Sequence, residues 1–220
     1  MSIHRARLVT AALALGTSLA LAPEASAVFA AGEQAPSVRA ANCSMKSSKT
    51  LAANRNVRVF HRADKVYGCR RDADRAYVLG IRGECQNNDE IDGVVVAGNQ
   101  AALNVQTCSL TSSQSRVLLV SLRTGRVAFA SNPLSTAPRI DSGYDAIRGM
   151  AVTAEGRIAW IGVGIERGVV VAAEVRRRAR GSSTQAVLLD SGTGIDPRSL
   201  HRRDSRVTWR SGAAERSAAM

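Results

Sequence analysis

The chain is poor in aromatic residues, histidine and lysine, and each shortage removes a class of function. Aromatic residues make up 4% of the 220 positions, with two Trp, three Tyr and three Phe. Platforms for stacking bases or sugar rings are therefore scarce. Most of these rings fall inside apolar strand-like runs, which leaves Tyr144 as the loop aromatic. Beyond His4 near the N-terminus, only His61 and His201 remain, and no serine lies in a Gly-x-Ser-x-Gly turn. A hydrolase triad needs a base beside its nucleophile, so no catalytic residue is assigned. No cysteine pair has CxxC spacing, which removes zinc-ribbon and thioredoxin-like readings. Past the N-terminal segment, no stretch repeats apolar residues at i, i+3, i+4 and i+7 for three turns, so helices are not expected.

What is present begins with an address. His4, Arg5 and Arg7 precede an apolar run from Leu8 to Ala22, followed by Pro23 and the small-residue tripeptide Ala25-Ser26-Ala27. That is the layout of a secretory signal peptide over residues 1–27, with cleavage after Ala27. Val28-Phe29-Ala30 offers an alternative site. The apolar run is about half the length of a membrane span, and no later stretch is long and apolar enough to be one. The expectation is a secreted protein without a transmembrane segment. Asn42, not the cleavage site, precedes the first cysteine, so no lipoprotein anchor is expected.

The formal charge is +12, and all but three of the 30 basic residues are arginine; Lys46, Lys49 and Lys65 are the exceptions. A balance this basic points to nucleic acid in a cytosolic protein, but export removes intracellular nucleic acid as a partner. Arginine spread along an Ala- and Gly-rich chain is what a GC-rich genome produces without selection for a ligand. The functional alternative is an acidic partner outside the cell: anionic wall polymer, lipid headgroups or extracellular DNA.

Cys43, Cys69, Cys85 and Cys108 all lie in the first half of the mature chain. An even count in an exported protein reads as two disulfides. Three connectivities are open, and Cys43–Cys69 with Cys85–Cys108 is preferred because each joins neighbouring segments.

Residues 28–50 read as a loosely ordered leader, and residues 51–220 as a single β-repeat domain. Short runs rich in Val, Ile, Leu and aromatics alternate with Gly, Asp, Asn and Ser, the pattern of strands and turns. Three hairpins align. In each, a polar turn residue stands four positions before a large apolar one: Asn99 before Leu103, Gly156 before Trp160, and Ser205 before Trp209. The intervals fit one four-stranded sheet per repeat. The N-terminal set lacks an obvious first strand and the C-terminal set an obvious last one. The fold expected is all-β: a small β-propeller of four-stranded antiparallel sheets, about four-bladed or incomplete. A β-sandwich is the alternative.

Three stretches also carry a family resemblance. They are Arg58-Val59-Phe60 through Val66-Tyr67-Gly68-Cys69 to Leu79-Gly80, then Glu155-Gly156-Arg157-Ile158-Ala159-Trp160, and the tail from Ile195-Asp196-Pro197 to Val207-Thr208-Trp209-Arg210-Ser211-Gly212. Together they resemble a group of exported, functionally uncharacterised propeller-like proteins of high-GC actinobacteria, with blades similar to TolB-like and WD40-like repeats. The resemblance implies a fold and a compartment. It carries no catalytic residue across.

Carboxylates cluster only at Asp89, Glu90 and Asp92 and at Asp141 and Asp145. The run from Asn88 to Gly93 matches half of a calcium loop, but position twelve is Asn99 rather than the bidentate Glu such a loop requires. No metal or cofactor is therefore expected. Gly162-Val163-Gly164 and Gly192-Thr193-Gly194 are too short to cradle phosphate and open no helix. The densest charge run is Arg176-Arg177-Arg178-Ala179-Arg180. It is expected at a hairpin tip, where it is either a solvated loop or an anion contact formed by Arg176, Arg177, Arg178 and Arg180. The leading functional expectation is an exported, non-catalytic binding or scaffold module at the cell envelope or in the medium. Its partner would be an anionic envelope polymer or another exported protein. The alternative is a secreted hydrolase or lyase with carboxylates in a propeller channel.

Overall fold

The computed structural model describes residues 30–40, 43–82, 89–108, 113–135 and 143–220. The expected signal peptide, residues 1–27, and Cys85, Asn88 and Asp141 lie outside the described residues. Among the described residues the chain forms sixteen strands and no α-helix. A short strand, β1 (Ser37–Arg39), precedes four successive antiparallel meanders. The first comprises β2 (Lys49–Ala53), β3 (Val57–Arg62), β4 (Lys65–Arg70) and β5 (Arg75–Ile81). The second comprises β6 (Asp89–Ala97), β7 (Gln100–Cys108), β8 (Ser113–Ser121) and β9 (Arg126–Ser131). The third comprises β10 (Gly143–Val152), β11 (Ile158–Glu166), β12 (Val169–Arg178) and β13 (Ala186–Ser191). The last has three strands: β14 (His201–Arg203), β15 (Arg206–Ser211) and β16 (Ala214–Ala219). A single parallel pair, Ile81 with Glu90, links the first two meanders into one ladder.

The protein is thus all-β, and from β2 onwards the strand order within each sheet is sequential, whereas β1 pairs with β5. The first strands gather along the array, with β2 beside β6 and β10 beside both β6 and β14. This serial stacking is consistent with a propeller-like or a sandwich-like arrangement. β2 supplies the first strand that sequence patterning leaves missing in the N-terminal set. It goes unseen there because it is largely exposed, as is β14, so neither shows the apolar alternation of a half-buried strand. β1 also escapes that reading. It lies within the stretch read as a leader and pairs with β5, while Gln34 just before it bridges to Arg126 of β9. The N-terminal stretch therefore laces the outer strands of two sheets.

The aligned hairpins have a common packing logic. In a strand, successive side chains point to opposite faces, so a fixed distance from the turn fixes the face. Leu103 enters a cluster with Val57, Val59 and Leu79 of the first sheet. Trp160 enters one with Leu119 and Phe129 of the second. Trp209 enters one with Ile161, Val163 and Val175 of the third. Each large residue fills the seam with the preceding sheet. Phe60 occupies the matching position in the first hairpin, four residues after Asn56. No sheet precedes it, and it packs instead against Tyr67, Cys69, Ala40 and Cys43.

Polar contacts pin each seam. Asn54 Nδ2 donates to the Gly98 carbonyl at 3.1 Å between the first two sheets. Trp160 Nε1, on a fully buried ring, donates to the Pro133 carbonyl at 3.0 Å. Asp190, with a side chain 7% exposed, accepts from Trp209 Nε1 at 2.7 Å and from Arg216 at 2.9 Å. Two-residue turns close the hairpins at Gly98-Asn99, Asp204-Ser205 and Gly212-Ala213, each with positive φ at its first residue. That is where a hairpin turn of the primed type needs it.

Among the described residues no ladder joins the last sheet to the first. The two ends of the array are finished differently. The outward face of the first sheet is covered by the N-terminal segment, held by a disulfide between Cys43 and Cys69. The outward face of the last sheet carries exposed Arg203, Arg206, Arg210 and Glu215, with Arg203 3.8 Å from Glu215 and Arg206 donating to Ser217 at 2.7 Å. A polar outer face is how terminal units of stacked arrays remain soluble.

Two stability outcomes follow from this packing. A Cβ on Gly162 would stand 2.2 Å from the Pro133 carbonyl oxygen. Gly162→Ala is expected to lower the unfolding free energy by about 2 kcal/mol, read as a lower urea midpoint with unchanged slope. The Cys43–Cys69 bridge closes a 26-residue separation. Replacing both cysteines with alanine is expected to cost about 2–4 kcal/mol, and non-reduced peptide mapping of the wild type should recover the two peptides linked.

Candidate anion-binding cleft

The arginine run does not sit at a solvated hairpin tip. Arg176, Arg177 and Arg178 are the last three residues of β12, and only Arg180 reaches the turn beyond it. Strand alternation then divides the run. Arg176 and Arg178 face the second sheet, and Arg177 faces the last.

Arg176 is 8% exposed, its guanidinium lying 5.7 Å from the centre of the Trp160 ring. Its Nη1 donates to the Asn132 carbonyl at 3.3 Å, and Nε stands 3.6 Å from the Glu174 carboxylate. Glu174 in turn accepts from the Ser135 amide and hydroxyl at 2.7 and 2.6 Å. Arg176 is therefore occupied in fastening the 132–135 connection to the third sheet. Burial lowers its pKa, with Glu174 opposing. Arg178 lies 5.6 Å over Phe129 and donates to the carbonyls of Ser182 and Gly156. Its pKa is likewise lowered by burial.

Arg177 and Arg180 have no ion-pair partner among the described residues. They line an open cleft of about 700 Å³ together with Arg178, Arg157 and Glu155. Its floor is closed by Gly156 and by Ala219 and Met220 at the end of the last sheet. The cleft thus lies where the third and fourth sheets diverge. Arg157 donates to the Met220 main-chain oxygen at 3.2 Å, and its other nitrogen stands 3.9 Å from Glu155. Glu155 is held below its ordinary pKa first by a hydrogen bond with the Thr153 side chain, with smaller contributions from Arg157 and Arg202.

Charge density along the sequence points to Arg177, Arg178 and Arg180 but not to Arg157, which lies some twenty residues earlier. Its signal is positional. It directly follows the turn glycine of the aligned hairpin Glu155-Gly156-Arg157, and that turn abuts the end of β12.

The other sequence candidates do not assemble into a reactive group. His61 is half-buried on β3 and His201 is exposed on β14. Tyr144 is placed on β10 rather than in a loop, and is 37% exposed. Asp92 is the extra residue of a bulge in β6. Among the described residues no three His, Cys, Asp or Glu side chains gather to hold a metal, and no helix is long and apolar enough to cross a membrane. Cys108 is disulfide-bonded.

No family model matches the chain, and no curated protein does. Among solved structures, similarity is found to KlHsv2 with loop 6CD replaced by a Gly-Ser linker, at 11% identity and a TM-score of 0.38. That match covers 74% of this chain and 46% of the other, so the chain spans under half that protein's length. A second match, to a chain of the mitotic checkpoint complex, has 11% identity and a TM-score of 0.33, covering 90% of this chain and 74% of the other.

Asp145, on β10, is a carboxylate whose pKa its surroundings raise. Its Oδ1 accepts the Ser115 amide at 2.6 Å, and the Ser115 hydroxyl donates to its main-chain oxygen at 3.0 Å. Burial raises its pKa, and the Ser115 hydrogen bond opposes the shift without reversing it. The folded protein then holds this proton more tightly than the unfolded chain. Stability associated with the group is present below its unfolded value of 3.8 and is lost as pH rises through the folded value. Asp145→Asn keeps an acceptor for Ser115 and is expected to remove this loss. Urea titrations of both proteins from acid to neutral pH check it, the variant gaining on the wild type as pH rises.

Proposed function

We propose that this protein is an exported, non-catalytic binding module of the propeller-like kind, whose partner is an anionic polymer of the cell envelope. One observation carries the reading. Arg157, Arg177, Arg178 and Arg180, drawn from two separate stretches of chain, line one open cleft beside a single carboxylate. Guanidinium groups present several donors in a fixed plane and suit carboxylate and phosphate groups. A concave site with excess positive charge also concentrates anions from solution. The signal-like N-terminal sequence and the Cys43–Cys69 disulfide support an extracellular setting, where wall polymers rather than intracellular nucleic acid would supply that charge. A polymer rather than a small anion suits the openness of the cleft and the absence of a closed phosphate cradle among the described residues.

Poly-L-glutamate serves as the probe. Binding is expected to weaken steeply with added salt, because exposed charge contacts are screened. The combined variant Arg157→Ala, Arg177→Ala and Arg180→Ala is expected to lose affinity about tenfold or more, equivalent to about 1.4 kcal/mol or more. Arg178 is left intact because it packs on Phe129. Removing three arginines from the outward face of the last sheet, Arg203, Arg206 and Arg210, changes net charge equally and is expected to leave affinity within about twofold, near the size of ordinary surface effects. Equal losses in the two variants would show nonspecific attraction to a basic protein and overturn the cleft as the site.

A further inference from the structure

The arginine cleft has a basic neighbour at the same end of the array. The turns that follow the first strands of the sheets stand in a row there and touch one another. Asn54, just before β3, donates to the Gly98 carbonyl at 3.1 Å. Gly98 in turn lies so close to Ala154 that a Cβ on it would stand 2.7 Å from the Ala154 side chain. Ala154 directly precedes Glu155 and Gly156, which line the cleft. Asn99, directly after Gly98, lines a second open depression of about 300 Å³. One contact between two hairpin turns therefore separates the two hollows.

Arg55, Arg70 and Arg71 line the second depression with a single carboxylate, Asp72. Asp72 is already ion-paired with Arg70. Arg71 lies across the turn, its Nε donating to the Asn54 carbonyl at 3.1 Å. Arg71 and the exposed Arg55 have no ion-pair partner among the described residues. The turn that presents Arg55 is fixed, because Asn54 Oδ1 accepts the Asn56 and Val57 amides at 2.8 and 2.9 Å. Donors held in place before a ligand arrives reduce the ordering cost of binding. The opposite end of the array lacks this excess. At the turns from β3 to β4 and from β11 to β12, Arg62, Lys65 and Arg167 stand with Asp64 and Glu166.

We propose that the second depression and the arginine cleft form one binding track, along which a linear polyanion lies across the hairpin turns and is held at both ends. This rests on the reading of the cleft as a polyanion site and extends that site from one contact to two. The second depression lies at the seam of the first two sheets, and the cleft lies where the third and fourth diverge. Two sheet spacings of about 10 Å separate them, a span of about 20 Å or about six residues of extended chain. A polymer that reaches both hollows makes its second contact intramolecularly, which raises its overall affinity. A shorter anion fills one hollow at a time.

The test titrates glutamate oligomers of about twenty and about four residues into the protein at low salt. Arg55→Ala with Arg71→Ala is expected to weaken the longer oligomer about fivefold or more, and the shorter one by no more than about twofold. Arg203→Ala with Arg210→Ala removes the same charge from the outward face of the last sheet and is expected to leave both within about twofold. Circular dichroism and thermal melts establish that the variants are folded. Arg55→Glu alone, at a side chain with no ion pair to lose, repeats the test without disturbing Arg71 and is expected to weaken the longer oligomer about threefold or more. Wild-type affinity for the longer oligomer in the folded Arg55 and Arg71 variants, alongside a loss in the triple cleft variant, would confine the polymer to the cleft and overturn the track. Equal weakening of the two oligomers would mark a general loss of positive field and overturn the bridging. Wild-type affinity in the triple cleft variant would overturn the cleft itself, and the track with it.

Discussion

The indole N–H of Trp160 reaches the Pro133 carbonyl through a gap that exists because Gly162, two residues along the same strand, has no side chain. Around that contact the second and third sheets are brought face to face. The ring itself fills the seam, where truncating such a residue typically costs about 3–5 kcal/mol. The carbonyl it meets belongs to the connection between the two sheets, so the same contact fixes how the chain crosses from one to the next. Glu174 and Arg176 fasten the start of that crossing, at Ser135 and Asn132, from β12. Indole, glycine, carboxylate and guanidinium all serve one requirement: a loop leaving one sheet must be held against the next without leaving its polar groups unpaired.

The same requirement recurs along the array and explains its ends. Each sheet offers two faces, and each apolar face must be covered. Interior sheets cover one another through Leu103, Trp160 and Trp209. The first sheet has an apolar outward face at Phe60 and Tyr67, and the disulfide-held N-terminal segment takes the place of a neighbour. The last sheet solves the problem in sequence, with arginine and glutamate where an interior sheet would have apolar residues.

How far the sequence discloses this depends on where burial writes a pattern. The aligned turn-to-apolar spacing at Leu103, Trp160 and Trp209 is legible because a buried strand must alternate and a hairpin turn must be small and polar. It locates the turn and second strand of the first hairpin in three sheets; Phe60, four residues after Asn56, takes the same place in the first sheet, a correspondence that only the packing reveals. β2 and β14 are illegible for the opposite reason, since their side chains are largely exposed and no alternation is imposed on them. The preferred Cys43–Cys69 pairing is present, whereas Cys85 lies outside the described residues. The cleft is half legible: charge density marks Arg177 and Arg180, but only the fold brings Arg157 to them.

The arginine run shows why composition misleads about function in a chain of this kind. Four arginines in five positions look like one electrostatic feature, yet β12 is a strand and alternation separates neighbours onto opposite faces. Arg176 and Arg178 lie over aromatic rings and donate to main-chain carbonyls, so their long side chains act as packing material with a charged tip. Arg177 and Arg180 keep their donors free of ion pairs among the described residues. A lysine could not take the first role, having no planar group to lay over Trp160 or Phe129. The near-absence of lysine thus has a structural use at these two positions, whatever its origin in base composition. Charge available to a ligand is set by what each arginine is already holding: at this end of the third sheet Arg157 is partly engaged by the Met220 main-chain oxygen and Glu155, while Arg177 and Arg180 have no ion-pair partner among the described residues and face the cleft.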